Sequence, residues 1–136
     1  KKAEMSVIVD TSVWSLGLRR TDHPSSLSVQ KLTRLIQEGE SIFLLGIILQ
    51  EVLQGLRSQK DFSRLLDKLS VYPLIEPRRE DYIEAARLRN QCSAKVVQAG
   101  TVEFLIAAMC IQYQCLLLTT DKDFSAIARH SALRLL

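Results

Sequence analysis

Three long stretches of the sequence are almost free of charge, and each contains a single carboxylate. They are residues 5–18 with Asp10, residues 41–56 with Glu51, and residues 96–120 with Glu103. Such apolar stretches must form a core, and a lone carboxylate is costly to bury there unless a partner or a cation compensates its charge. The sequence therefore predicts that these isolated acids share one function.

Short strand-like segments alternate with helical patterns along the chain. Apolar, β-rich runs predict strands at Ser6–Val9, Ser41–Leu45, Val71–Ile75 and Cys115–Leu118, and a last short edge strand at Leu133–Leu136. Helical spacing and capping residues predict a short helix after Asp10 and helices over residues 24–38, 47–56, 60–70, 78–93 and 101–112. Strands that alternate with helices form a parallel sheet covered on both faces, so the predicted fold class is α/β.

The acids occupy equivalent places in this predicted fold. Asp10 and Asp121 follow the carboxyl ends of strands, whereas Glu51 and Glu103 lie early in helices. In parallel α/β sheets, ligands bind beyond the carboxyl ends of the strands. All four acids are therefore expected at one rim of the sheet, with Asp123 two residues beyond Asp121.

Helical spacing also predicts which side of the last predicted helix is buried. Its core stripe consists of Val102, Leu105, Ile106 and Met109. Glu103 lies instead on a flank of small residues with Ala107 and Cys110, which leaves room for its carboxylate.

Composition is that of one ordinary domain, which we place at residues 5–136. The chain has 136 residues, of which 47% are hydrophobic and 24% charged, and it shows no internal repeat or linker. Residues 1–4 precede Met5 and are interpreted as an N-terminal extension or a remnant of cloning.

The three cysteines form no CxxC pattern, and the longest uncharged run, residues 104–120, is too short to span a bilayer. No secretion signal stands at the N-terminus, so a cytoplasmic location with reduced cysteines is predicted.

An all-carboxylate site indicates a particular chemistry. Crowded carboxylates repel each other unless a cation neutralises them, and hard oxygen ligands favour Mg²⁺ or Mn²⁺ over zinc. Such ions activate water and stabilise the charge of a phosphodiester during its hydrolysis. Motifs of competing chemistries are missing, because the two histidines, His23 and His130, belong to no HExxH and no phosphate-binding loop occurs.

The remaining charge favours a polyanionic substrate. Setting aside the five acids of the predicted site leaves ten of the 15 acidic residues against 18 basic ones. The basic residues free to contact phosphates are then Arg57, Arg64, Arg78, Arg79, Arg87, Arg89 and Lys95.

Each candidate residue also has a purely structural alternative. Asp10, Asp121 and Asp123 are typical of helix caps or turns, Glu51 of a solvated helix face, and Glu103 of the first turn of a helix. Hydroxyl residues next to the acids are more often caps or strand residues than parts of a site; they are Thr11, Ser12 and Thr119. Trp14 is expected in the core.

Four segments carry a resemblance to a known family. They are VDTSVW at 9–14, QEVLQGL at 50–56, QAGTVEFLIAA at 98–108 and LLTTDKDF at 117–124. In their order and spacing the chain resembles PIN domains, and among them the VapC-like toxins of bacterial type II toxin–antitoxin pairs. The resemblance implies a three-layer α/β/α sandwich with strand order 3-2-1-4-5, a homodimer, a cognate VapB-like antitoxin, and an endoribonuclease that depends on Mg²⁺ or Mn²⁺.

The resemblance also assigns roles to residues of the site. The catalytic and metal-binding acids would be Asp10, Glu51, Glu103 and Asp121, with Asp123 as a further metal ligand and Thr11, Ser12 and Thr119 as supporting residues.

One position departs from the family pattern. The family usually has Asp where this chain has Glu103, whose extra methylene displaces the carboxylate by about 1–1.5 Å. The leading hypothesis is therefore a metal-dependent endoribonuclease toxin. The alternative is a catalytically weakened PIN-like module that binds antitoxin and nucleic acid. A small-molecule Mg²⁺ phosphohydrolase ranks last, because DTS at 10–12 lacks the second Asp of its nucleophile motif.

Overall fold

The structure is a computed structural model that describes residues 5–18, 26–93 and 97–136. Its elements in chain order are β1 (Ser6–Val9), α1 (Thr11–Leu18), α2 (Leu27–Gln37), β2 (Ser41–Leu45), α3 (Gly46–Gln54), α4 (Gln59–Leu69), β3 (Leu74–Ile75), α5 (Arg79–Ser93), α6 (Thr101–Gln112), β4 (Leu116–Leu118) and α7 (Lys122–Arg129). The predicted extension at residues 1–4, the first two residues of the helix predicted from residue 24, and Lys95 lie outside the described residues.

The four strands form one parallel sheet in the order β3-β2-β1-β4. Leu135 makes a single parallel bridge to Leu117, so the C-terminal segment lies beside β4 where a fifth strand would stand. The α/β fold and the predicted order of the first four strands are thus confirmed. The edge strand predicted at Leu133–Leu136 is reduced to that bridge, held by hydrogen bonds from Leu117 N–H to Arg134 O (3.0 Å) and from Leu136 N–H to Leu117 O (2.9 Å).

The third strand is shorter than the predicted Val71–Ile75. The chain is still turning there after α4, since Tyr72 N–H bonds to Leu69 O, and Pro73 has no N–H to give to a strand ladder. Pro73 instead accepts a bond from Leu44 N–H through its carbonyl (2.9 Å), and β3 begins at the next residue.

The core lies on both sides of the central strand. Val7, Ile8 and Val9 of β1 are fully buried, as expected for a parallel strand covered by helices on both faces. Trp14 is buried too, which confirms the prediction, and its ring packs at 5.4 Å from that of Tyr72.

Helix α6 is buried around most of its circumference, because it packs against α5, α7 and β4. Ile106 and Met109 of the predicted stripe are buried, but Val102 and Leu105 are only partly so. Ala107 and Cys110, predicted to flank Glu103, are fully enclosed. Small side chains on this helix thus serve close packing.

The last helix, α7, did not emerge from the sequence patterns. It is short, and its buried residues are Phe124 and Ile127. Within the described residues, no helix is both long and apolar enough to cross a membrane.

Candidate functional site

Asp10 is the most buried carboxylate at the predicted rim. It follows β1 directly, where its N–H bonds to Leu118 O (2.9 Å) and its carbonyl accepts the first bonds of α1. Its side chain is only 6% exposed. Oδ2 accepts hydrogen bonds from Ser12 Oγ (2.8 Å) and Thr119 Oγ1 (2.9 Å), and no described residue forms an ion pair with it. A buried charge is therefore held by two hydroxyls alone, an arrangement that leaves it suited to a cation.

The two hydroxyls are oriented by the backbone after β4. Ser12 Oγ accepts the N–H of Thr120 (3.1 Å), and Thr119 Oγ1 accepts the N–H of Asp121 (3.0 Å). Because a hydroxyl has one proton, each directs its proton toward the Asp10 carboxylate. These bonds connect the carboxyl ends of β1 and β4. They provide a physical basis for the supporting role predicted for Ser12 and Thr119.

Glu51 contacts the residue that follows Asp10. It lies on α3, half-buried, and its Oε1 accepts the hydroxyl of Thr11 (2.8 Å). Thr11 is the first residue of α1, which packs against α3. Helix α3, which follows β2, therefore presents its one acid to the segment that begins at Asp10.

Asp121 and Asp123 combine a structural role with their position at the rim. Asp121 is the N-cap of α7, where its Oδ1 accepts the N–H of Asp123 (2.9 Å). The helix-cap interpretation is correct for Asp121. Capping α7 still allows Asp121 to bind a cation, because the capping bond uses only one of its carboxylate oxygens. Its backbone N–H also bonds the Thr119 hydroxyl.

Glu103 is not part of this network. Its Oε1 accepts the backbone N–H of Gly100 (2.8 Å), so the carboxylate folds back over the start of its own helix. This is one half of a capping box, in which Glu at the third helical position bonds to the N-cap residue. Gly100 has no side chain to return the bond, and a Cβ there would collide with Glu103 Oε1.

The arrangement has the right donors for a hard cation, but they are not gathered around one point. Among residues 5–18, 26–93 and 97–136, no group of three or more His, Cys, Asp or Glu side chains is placed to hold a metal. Thr119 links the Asp10 carboxylate to the backbone of Asp121, and Glu51 bonds the hydroxyl of Thr11 next to Asp10, whereas the Glu103 carboxylate bonds Gly100. The carboxylate oxygens and the unpaired, buried Asp10 suit Mg²⁺ or Mn²⁺, and Glu103 would have to leave Gly100 to join them.

The three cysteine thiols are buried and less acidic than an exposed thiol. Burial raises the pKa of the Cys110 thiol, and the neighbouring Cys115 and the charge of Asp10 raise it further. Burial also raises the pKa of Cys92 and of Cys115. All three cysteines are free and buried.

The predicted phosphate-contacting residues differ in their surroundings. Arg87 pairs with Glu84 (3.1 Å) and Arg64 with Asp61 (3.6 Å). Arg78 approaches the Tyr113 hydroxyl at the C-terminal end of α6, away from Glu103. That end is ordered by Asp81, which is 3% exposed and accepts bonds from the Tyr113 hydroxyl and the Arg78 N–H.

Arg89, another of the predicted phosphate-contacting residues, lies beside the site. Arg89 lines an open groove together with Asp123 and Gly100. The importance of Gly100 was missed in the sequence, although a glycine three residues before a Glu at a helix start is a recognisable signal.

Comparisons with known proteins agree with this fold. The family model for the PIN domain matches residues 7–130. Among solved structures, the fold matches a chain of VapBC2 from Rickettsia felis bound to a DNA fragment from its promoter, with TM-score 0.79 and 21% identity over 97% of this chain and 98% of that one. It also matches FitAcB from Neisseria gonorrhoeae (TM-score 0.76, 21% identity, 96% of each chain).

A third match is the toxin VapC20 from Mycobacterium tuberculosis, described as cleaving the sarcin-ricin loop. The TM-score is 0.67 and the identity 16%, over 94% of this chain and 98% of that one. At these identities the solved structures show a common fold. The family model covers nearly the whole chain, and the chain therefore belongs to the PIN domain family.

Proposed function

We propose that this protein is a metal-dependent endoribonuclease that acts as the toxin of a VapBC-type toxin–antitoxin pair. The observation that carries the proposal is the buried Asp10 carboxylate, which has no cationic partner among the described residues and is connected through the Thr119 hydroxyl to the segment of Asp121. Glu51 bonds Thr11, the residue next to Asp10. Membership of the PIN domain family supports the proposal, as does the likeness in fold to a toxin described as cleaving the sarcin-ricin loop.

The chain's own acids would hold one or two Mg²⁺ or Mn²⁺ ions. Asp10, Glu51, Glu103 and Asp121 would be the ligands, directly or through water, with Asp123 assisting. A bound ion of this kind lowers the pKa of an attacking water and stabilises the charge that develops on the phosphate. Oxygen donors alone fit these ions, and the proposed ligands include no His or Cys of the kind that zinc and copper usually take.

The hydroxyls contribute orientation. Ser12 and Thr119 both bond Oδ2 of Asp10, which fixes the plane of the carboxylate and leaves Oδ1 for a ligand. Thr11 holds Glu51 in the same way (2.8 Å). Fixed ligands matter because catalysis loses rate steeply when a reacting group is displaced by about 1 Å.

The partners follow from the same proposal. RNA would be the substrate, and a VapB-like antitoxin would bind this chain and block the acidic rim. One matching structure is described as a toxin–antitoxin complex from Klebsiella pneumoniae and two others as VapBC bound to DNA, which supports an antitoxin partner. A homodimer is proposed on the family resemblance alone.

The test is cleavage of a labelled total-RNA pool by the purified protein in Mg²⁺, Mn²⁺ or EDTA. Cleavage is expected in either metal and not in EDTA. Asp10→Asn, which keeps the shape of the side chain and removes its charge, is expected to slow cleavage at least a hundredfold. The matched control is Asp61→Asn, an exposed Asp of α4, which is expected to cleave like the parent.

An Asp10→Asn variant that cleaves as fast as the parent would overturn the proposal. RNA binding by the parent without cleavage in either metal would instead support the binding-module alternative.

A further inference from the structure

A groove opens next to the acidic rim, between the end of α5 and the start of α6. Its lining consists of Arg89, Ser93, residues 97–100, Phe104 and Asp123, and its volume is about 420 Å³. This volume falls within the range of roughly 300–1,000 Å³ found for small-molecule sites. Asp123 brings the groove into contact with the segment that carries Asp121, so a strand of substrate at the rim has a path into it.

Arg89 supplies the positive charge of the groove. On α5, the residues that share its face at helical spacing are Ala85, Ala86, Cys92 and Ser93. None is acidic, so no partner within the helix can neutralise the guanidinium. No ion pair of Arg89 exists among the described residues, and its side chain is exposed.

Arg87, two residues earlier, shows the contrast. It is equally basic and exposed, but it pairs with Glu84 at 3.1 Å and lines a different cavity, on the side of α5 toward Gln112 and Ser131. The two arginines therefore form a matched pair on one helix, one already neutralised and one available.

The other residues of the groove do not occupy the Arg89 guanidinium. Ser93 donates its hydroxyl to the backbone oxygen of Arg89 (2.9 Å). Glu103 already occupies the Gly100 N–H at the start of α6. Asp123 is the acidic residue of the lining, so an anionic chain is repelled there and attracted to Arg89.

We propose that this groove binds the nucleotide next to the scissile bond, with the Arg89 guanidinium on its phosphate. The inference rests on the proposed function, since it takes RNA as the substrate of the acidic rim. Asp123 and Arg89 both line the groove, and Arg89 forms no ion pair among the described residues. A strand whose cleaved phosphate lies at the acids can therefore place a neighbouring phosphate on Arg89.

The test measures RNA binding separately from cleavage. Fluorescence anisotropy of a labelled single-stranded RNA is recorded in Mg²⁺ over a KCl series, with Asp10→Asn as the non-cleaving parent. Adding Arg89→Gln is expected to weaken binding about tenfold and to reduce the slope of log K against log[KCl] by about 0.7, the contribution of one phosphate on a single strand. Arg87→Gln removes the same charge from the same helix and is expected to change binding less than twofold. Arg89→Lys is expected to restore the slope.

Equal losses from Arg89→Gln and Arg87→Gln would overturn the proposal, because they would indicate general electrostatic attraction. No effect of Arg89→Gln, or no binding by the Asp10→Asn parent at the lowest salt, would overturn it as well. RNA cleavage by the unmutated protein is measured in parallel. Cleavage with no effect of Arg89→Gln rejects the groove and keeps the nuclease; a selective Arg89→Gln effect without cleavage keeps the groove and rejects the nuclease.

Discussion

Replacing Glu103 with Asp is expected to destabilise the protein without metal and to strengthen its binding of metal. Glu103 now bonds the Gly100 N–H at 2.8 Å. Asp is shorter by one methylene, about 1–1.5 Å of reach, so it cannot keep that bond while α6 stays in place. It remains acidic in the first turn of the helix, so its favourable interaction with the helix dipole is retained.

The size of the effect follows from the lost bond. Capping interactions contribute about 0.5–2 kcal/mol, and this one is exposed to solvent, which places it at about 0.5–1 kcal/mol. The entropy of unfolding, about 2.1 cal/mol/K per residue, converts that loss for a domain of this length into a decrease in Tm of about 2–4 °C.

Bound metal is expected to remove this difference in stability. In the parent, Glu103 must give up the Gly100 bond before it can join Asp10, whereas Asp in its place has no such bond to break. The same 0.5–1 kcal/mol then appears as a Mn²⁺ affinity about two to five times higher in Glu103→Asp.

The assay is thermal unfolding in EDTA and over a Mn²⁺ series. Glu84→Asp is the matched control, since Glu84 is also helical and bonded only at the surface. The reasoning is refuted if Glu103→Asp unfolds at the parental temperature in EDTA, or if the parent gains as much from Mn²⁺ as the variant does.

Three further predictions concern other parts of the molecule. Thr119→Val removes a hydroxyl that orients the buried Asp10 carboxylate, and we expect RNA cleavage to fall at least tenfold. The control Thr33→Val, at an exposed position of α2, is expected to leave the rate unchanged. Asp81→Ala removes the acceptor of the Tyr113 hydroxyl at the far end of α6, and urea unfolding should show a loss of about 1–3 kcal/mol with the cleavage rate per folded molecule retained. Burial raises the pKa of Cys110 above its ordinary value of 9.0, so the unfolded thiol ionises first as pH rises; stability should therefore decrease above pH 9, and the thiol should react with a disulfide reagent only after unfolding.

Much of the fold could be read from the sequence because its strong periodic signals are local. The bounds of β1, β2 and α6 agree with the predicted ones, since each apolar run is set off by polar or turn-forming residues. The bounds of β3 and the presence of α7 were harder to predict from the sequence. The length of β3 depends on Pro73 and on where α4 stops, and α7 is too short for a periodic pattern to stand out.

The candidate site was predictable in part for the same reason. Asp10, Thr11, Ser12 and Thr119 are next to strand ends, and the sheet itself brings strand ends together. Glu103 was expected at the rim on helical position alone, but its side chain has a local alternative in the Gly100 N–H. Competition between a local cap and a long-range contact depends on side-chain reach, which spacing does not reveal.

The difference between Arg87 and Arg89 could be predicted from the sequence. Only Arg87 has an acid three residues away on its helix, and the structure forms that pair.

The measurement that tests the central claim most directly is calorimetric titration of Mn²⁺ into the folded protein and into Asp10→Asn. If the buried carboxylate is held for a divalent cation, the parent binds one or two ions, and Asp10→Asn binds them at least tenfold more weakly, while Asp61→Asn matches the parent. Equal Mn²⁺ binding by the parent and Asp10→Asn would contradict the claim that Asp10 is the centre of a metal site.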